Sequence, residues 1–318
     1  AYRKAYGQEL LPRLQELFEP VGEYKTTRIR FWKLVTDLFS NHFVKPIYQW
    51  CDERGLKLTG HLVLEEHLEC QITSNGACMP HYEYFHIPGV DWLGRQMTSC
   101  LGTIQACSVA QQLGKKQFLT ESYALCGHNV SFSQLRGILE WQMVRGVNLL
   151  CPHLEGYSLR GLRKRDYPPA MYEQQPWWQD YSKFIQSMSR IGMILAEGKV
   201  RCDCLVIHPQ TTAWSLFDCG ENRGLQQLEE RLFQIIHTLD KKHILFHLGD
   251  ETVMERHARV ENGTLIIGQQ RYNKVIILED QMFLPNTENL LKEYRTSGGA
   301  VCRAEDLEAE NLLDHEEI

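Results

Sequence analysis

Between residues 2 and 54 apolar side chains recur every three or four positions: Leu11, Leu14, Leu17 and Phe18, then Phe31, Leu34, Val35, Leu38 and Phe39. That period predicts two amphipathic helices, parted by the polar break at residues 20–23, with Gly55 ending the second. Beyond Gly55 the rhythm changes. Residues 56–64 read as a short strand running into the polar loop Glu65, Glu66 and His67, and residues 88–91 as a brief strand ending in a carboxylate. Residues 98–113 form a small-residue helix closed by Gly114, and residues 117–122 the next strand. Residues 131–145 put Phe132, Leu135, Ile138, Leu139 and Met143 on one helical face, closed by Gly146, and residues 147–153 are a further strand. A long aromatic loop leads to Pro176 and a helix over 177–197.

Strand, loop and helix, closed by Gly and repeated, is the rhythm of parallel β/α units. Polar residues fall at the C-terminal strand ends: His61 and Glu65, Asp91, Glu121, His153. A (β/α)8 barrel builds its active site there, and so does a doubly wound sheet; the long loops favour the barrel. From residue 198 a second α/β region begins, with strands at 200–207 and 243–247 around a helix at 226–239. Strands at 263–267 and 274–278 flank a turn-like Tyr272-Asn273, and a helix at 287–295 precedes a strand at 300–302. The expected division is a barrel segment over 1–197 and a smaller α/β domain over 198–318, whose acidic tail from 305 is helical or frayed. Four strands are counted in the first part.

Composition narrows the function classes. The 318 residues are 43% hydrophobic and 23% charged, with a formal net charge of −6. An acidic balance argues against a nucleic-acid partner, which needs a concentrated basic surface. The dense basic run, Arg160-Gly-Leu-Arg-Lys-Arg165, reads as a local anion or substrate-rim feature. No stretch reaches the ~20 apolar residues of a membrane span, and no secretory signal pattern is seen. Eleven cysteines in apolar surroundings suit free thiols in a reducing, cytoplasmic setting better than a disulfide framework. Cys202-x-Cys204 lacks the second pair that a zinc site requires. The sequence opens on Ala and turns helical at once, as a piece of a longer chain would.

Among the polar residues Glu121 is the sharpest candidate, because it ends an apolar strand and glycoside hydrolysis needs carboxyl groups flanking the scissile bond. Glu65, Glu66 and Asp91 are candidates for the second carboxylate, with Glu65 the first choice. His61 and His153, beside strand ends, suit hydrogen bonds to sugar hydroxyls or a supporting role. The spacing His61-x-x-x-Glu65 is not a zinc-protease motif; a hard cation such as calcium remains compatible with the carboxylates. Tyr157 and Trp177, from the aromatic loop, offer faces on which sugar rings pack.

Leu58-Thr-Gly-His61, Pro88-Gly-Val-Asp91, Leu119-Thr-Glu-Ser122, Gly146-Val-Asn148 and Pro152-His153, in this order, resemble the barrel of glycoside hydrolase family 106 α-L-rhamnosidases. Arg165-Asp-Tyr-Pro-Pro169 and Pro176-Trp-Trp178 fit the same pattern, and the resemblance runs from residue 6 to 277. It implies a (β/α)8-type glycosidase acting on carbohydrate, with Glu121 as catalytic glutamate and no required cofactor; family 106 is associated with a calcium ion at the sugar, which is possible here too. The second domain resembles the Rossmann-like domain that follows the barrel in such enzymes and in family 42 β-galactosidases, where it supports assembly; a homo-oligomer is the implied state. Retaining barrel relatives carry their acid/base on the fourth strand. The four strands counted here correspond to the fifth to eighth, so the chain is expected to hold half of the catalytic pair. A non-catalytic carbohydrate-binding or assembly segment of a larger glycosidase and a metal-dependent barrel hydrolase are the rival readings.

Overall fold

In the computed structural model, residues 1–98, 101–165, 167–169, 171–218 and 220–304 are described. The chain begins with α1 (Tyr2–Tyr6), a 3-10 helix (Leu11–Leu17), α2 (Tyr24–Phe39), a π turn (Ser40–Val44) and α3 (Lys45–Asp52). Where two helices were expected there is a 3-10 segment and a helix pair joined by a π turn. Leu11, Leu14 and Phe18 remain exposed, so the apolar repeat there does not mark a buried face. Pro46 explains the π turn: it lacks the N–H that an unbroken α-helix needs, and the wider turn reroutes the hydrogen bonds.

The first sheet is built by β1 (Thr59–Gly60), α4 (Leu68–Asn75), α5 (Met79–Tyr82), β2 (Ile87–Trp92), α6 (Leu101–Gln112), β3 (Leu119–Ser122), α7 (Phe132–Met143), β4 (Leu149–Pro152), a 3-10 turn (Gly161–Arg165) and α8 (Trp178–Glu197). Its four strands run parallel in the order β1-β2-β3-β4. The nine-residue strand expected at 56–64 is only two residues long. Asp91, Glu121 and Cys151 lie in register across β2, β3 and β4. Because side chains alternate along a strand, they share one face with Ile87, Leu119 and Leu149. The opposite face carries Val90, Trp92, Thr120 and Ser122, all buried.

The second sheet follows: β5 (Cys204–Ile207), α9 (Gln210–Leu216), α10 (Arg223–Lys241), β6 (Phe246–Gly249), α11 (Glu251–His257), then the antiparallel β7 (Ala258–Glu261), β8 (Thr264–Ile267) and β9 (Gln270–Tyr272), and finally β10 (Lys274–Ile277), α12 (Pro285–Thr296) and β11 (Ala300–Arg303). The parallel strands are ordered β11-β10-β5-β6. Tyr272, expected in a turn, is a strand residue pairing with Leu265. The acidic tail from 305 lies outside the described residues.

Helix α6 joins the two sheets and is buried over nearly its whole length. Ser108 Oγ accepts from the Leu248 N–H at 2.9 Å, and Gln112 Nε2 donates to the Leu248 carbonyl at 3.0 Å, so side chains of α6 take the place of a neighbouring strand along edge strand β6. Gln111 Oε1 accepts from His247 Nε2 (2.6 Å), which leaves His247 Nδ1 to accept from the Tyr272 hydroxyl (2.8 Å). Gln71 and Gln105 exchange amide hydrogen bonds, and Gln105 also donates to His208 Nε2. Burial holds His208 and His247 down to about 4, so both are neutral members of this network.

Candidate active site at the strand ends

The polar residues expected at the strand ends meet. His61 follows β1, Asp91 lies on β2 and Glu121 on β3, and one ligand atom from each lies within 4.8 Å of the others. His61 Nε2 stands 3.2 Å from Glu121 Oε2. His61 Nδ1 is 3.0 Å from the Leu62 carbonyl, which can only accept, so the Nδ1 proton is committed there. Nε2 can then face Glu121 favourably only as an imidazolium or across a bound cation. Burial opposes the imidazolium, but the Leu62 hydrogen bond and the carboxylates of Glu65, Asp91 and Glu121 outweigh it and raise the His61 pKa above its ordinary value.

Glu121 is aimed by what lies behind it. On the opposite face of β3, Thr120 Oγ1 donates to Gln142 Oε1 (2.6 Å) and Gln142 Nε2 donates to Ser122 Oγ (2.9 Å). All three residues are buried, so α7 grips β3 on either side of Glu121. The α7 start is fixed by a capping box between Ser131 and Gln134. Immediately after β3, Tyr123 takes a left-handed conformation (φ 84°), a strained backbone turn of the kind that clusters at functional sites.

Glu65 lies beneath this group, 2% exposed. Its Oε1 accepts from the Asp91 N–H at 2.9 Å and its Oε2 from the Tyr82 hydroxyl. Burial pushes its carboxyl up to about 7, against the pull of those two donors and of His61. Gly102 on α6 makes room for it: a Cβ there would come within 3.0 Å of Glu65 Cγ. Burial also raises the Asp91 pKa, opposed by His61 and reinforced by Glu121, and Asp91 Oδ1 is buried with no hydrogen-bond partner among the described residues. His153 continues β4, its N–H donating to the Ser122 carbonyl, and its ring lies 5.8 Å from that of Tyr167. Its Nδ1 is a second buried atom without a described partner.

The other candidates lie apart. Tyr157 is fully exposed on the loop after β4. Trp177 donates its indole N–H to the Val130 carbonyl and packs on Phe132 and Tyr181, in the seam between α7 and α8. Glu66 is half-buried. Cys202 and Cys204 are buried free thiols, each pushed up to about 12 chiefly by burial. The supporting roles of Gln142 and Thr120 escaped the sequence reading; a polar residue inside an apolar stretch, as at Gln142, was the available signal. A cavity of about 980 Å³ bounded by Phe118, Trp141, Asn148 and Phe246 lies at the N-terminal ends of β3 and β4, away from this chemistry, so the cluster rather than the cavity marks the site.

The donor set of one imidazole nitrogen and two carboxylates fits a divalent cation, and Asp91 Oδ1 supplies a free acceptor. Zinc or manganese takes such a mixed set more readily than calcium, which would need further oxygens from water or sugar hydroxyls. The chemistry open to the site is thus proton transfer, attack by a carboxylate, or polarisation by a cation.

No family model and no curated protein matches the sequence. Among solved structures, a rhamnosidase from Novosphingobium sp. PP1Y superposes with a TM-score of 0.69 at 15% identity, over 97% of this chain and 30% of that one. The fold is one that glycoside hydrolases use. Gan42B, a GH42 beta-galactosidase, gives a TM-score of 0.59 at 12% identity, over 95% of this chain and 47% of that one. A beta-galactosidase from Bacillus circulans sp. alkalophilus gives 0.60 at 11% identity, over 88% and 40%. The chain spans less than half the length of each. No helix among the described residues is long and apolar enough to cross a membrane.

Proposed function

We propose that this chain is the site-bearing segment of a glycoside hydrolase, with Glu121 as the carboxylate that works at the anomeric centre. The observation that carries the reading is the convergence of His61, Asp91 and Glu121 at the C-terminal ends of three adjacent parallel strands. In this role the His61 imidazolium orients Glu121, Asp91 binds sugar hydroxyls, and the buried Glu65 anchors the Asp91 backbone. His153 lines the same mouth. Asp91 and Glu121 stand side by side on neighbouring strands, whereas the two carboxyls of a glycosidase flank the bond from opposite sides. The opposing carboxylate therefore belongs to a facing wall, with the present sheet as half of a (β/α)8-type barrel. Burial supports that arrangement: parallel sheets are normally covered on both faces, yet Thr59 and Cys151 on the inner face are exposed. An α-L-rhamnoside is the first substrate to try, the second sheet serves as a Rossmann-like support for assembly, and the free cysteines among the described residues suit a cytoplasmic enzyme.

The test is hydrolysis of a panel of aryl glycosides, α-L-rhamnoside included, by the chain and its Glu121→Gln variant. Turnover that falls by at least ~10³ in the variant supports the reading, since only a charged group is lost. Equal turnover removes Glu121 from the mechanism; sugar binding without turnover fits either half of a catalytic pair or a binding segment, and a longer chain that carries the facing wall separates the two, turnover returning only in the first case. A metal-dependent hydrolase is the second reading, favoured by the three converging ligands and the unpartnered Asp91 Oδ1. It requires activity to vanish on chelation and return with a divalent ion.

A further inference from the structure

The loop after β4 carries Arg160, Arg163, Lys164 and Arg165, four exposed cations within six residues of a chain whose net charge is −6. Elsewhere arginines such as Arg54, Arg136, Arg145 and Arg256 sit beside carboxylates. In this loop no carboxylate partner occurs among the described residues, and the side-chain contact present is Arg163 Nη1 donating to Ser158 Oγ at 3.2 Å. Asp166 lies outside the described residues.

The loop is fastened to the mouth of the site. His128 Nε2 donates to the Lys164 carbonyl at 3.2 Å, and the Gly127 N–H donates to the Pro168 carbonyl at 3.1 Å, which ties it to the segment after β3 that follows Glu121. At its other end Tyr167 stacks on His153. Leu154, Tyr157, Leu162 and Tyr167 expose apolar or aromatic surface along the same stretch. Cations without a carboxylate partner among the described residues, interleaved with rings, match a sugar chain bearing anionic groups: the rings pack on its C–H faces and the guanidinium forks engage its carboxylates or sulfates.

We propose that this loop selects an anionic saccharide, so that the substrate of the site described above carries uronate or sulfate groups on the sugars beside the scissile linkage. The proposal rests on the glycosidase reading for the word substrate; the binding it predicts can be measured without turnover. The acidic balance of the rest of the chain disfavours an extended polyanion such as nucleic acid, whose charges would reach beyond the loop.

The experiment is calorimetric titration of the chain with trigalacturonic acid, a sulfated trisaccharide, neutral galactotriose and a short oligothymidylate, at low and raised salt. The same ligands are titrated into the Arg160→Gln/Arg163→Gln/Lys164→Gln/Arg165→Gln variant and a control variant, Lys199→Gln/Arg201→Gln. One of the anionic trimers is expected to bind at least about ten-fold more tightly than galactotriose, with salt eroding the difference. The loop variant should erase the preference and the control keep it; whichever trimer binds better identifies the anionic group. Equal affinity for charged and neutral trimers overturns the proposal, as do absence of binding, a preference that survives in the loop variant or is lost equally in the control, and tight binding of the oligothymidylate. The salt dependence of the unaltered chain decides the matter should the loop variant not fold. Turnover of neutral aryl glycosides by the unaltered chain and by its Glu121→Gln variant reports separately on the glycosidase reading.

Discussion

Replacing Glu65 by Gln exchanges a buried carboxyl for an amide of nearly the same shape. The amide oxygen can still accept from the Asp91 N–H, and where the Tyr82 hydroxyl donates to the carboxylate the amide NH₂ donates to the Tyr82 oxygen instead, as the O–H of the protonated acid can, so the variant matches the acid form in shape and hydrogen bonding. What disappears is a titration. The carboxyl is held near 7 in the folded chain, against 4.5 as its ordinary value. A group that binds its proton more tightly when folded favours folding fully below its unfolded pKa. That contribution is lost as pH rises through the folded pKa, and the gap corresponds to roughly 3 kcal/mol. Urea denaturation of both proteins from pH 4.5 to 8.5 should therefore give similar stabilities at the acid end and a variant more stable by up to ~3 kcal/mol at the alkaline end. Using the difference between the proteins removes the common contributions of Asp250 and Glu251, whose carboxyls burial also raises. Parallel stability curves would refute the raised pKa of Glu65.

Gln142→Leu leaves the buried Thr120 and Ser122 hydroxyls short of a partner and should cost about 1–3 kcal/mol in thermal or urea unfolding, with turnover falling as Glu121 loses its support. Gly192→Ala brings a methyl within 2.4 Å of the Asn148 carbonyl where α8 packs on the approach to β4, and should destabilise by about 1–3 kcal/mol in the same assay. His61 is protonated to a higher pH than an ordinary histidine, so activity that depends on its imidazolium should decline as pH rises through that raised pKa. His61→Gln should abolish that alkaline limb and lower turnover at least ~10-fold at pH 6, and an unchanged pH–rate profile would exclude the role.

The strand ends were legible because a parallel sheet places its chemistry where each apolar run stops: Asp91 and Glu121 were located by that rule and lie in register. Glu65 shows its limit. Position along the chain put it at the mouth, but the choice between inward and outward depends on Tyr82 and the Asp91 backbone, and neither partnership has a local signature. The 3-10 segment at Leu11–Leu17 misled for a similar reason: helical spacing of leucines does not say whether a surface exists to cover them. Gln105, Ser108 and Gln112 looked like ordinary polar positions of a small-residue helix, yet they pair with residues of the second sheet more than 100 positions away.

That last feature bears on inheritance. Helix α6 belongs by sequence to the first sheet and serves by its hydrogen bonds as the border of the second. A recombination event joining residues 1–197 to a foreign second half would carry Gln105, Ser108 and Gln112 into surroundings without His208 or the Leu248 peptide, each orphaned polar group costing about 1–3 kcal/mol. Against a typical total stability of roughly 5–15 kcal/mol, few such chimeras would fold. The two sheets are thus bound to descend together, and exchange of modules should be tolerated at the ends of this chain rather than at its middle.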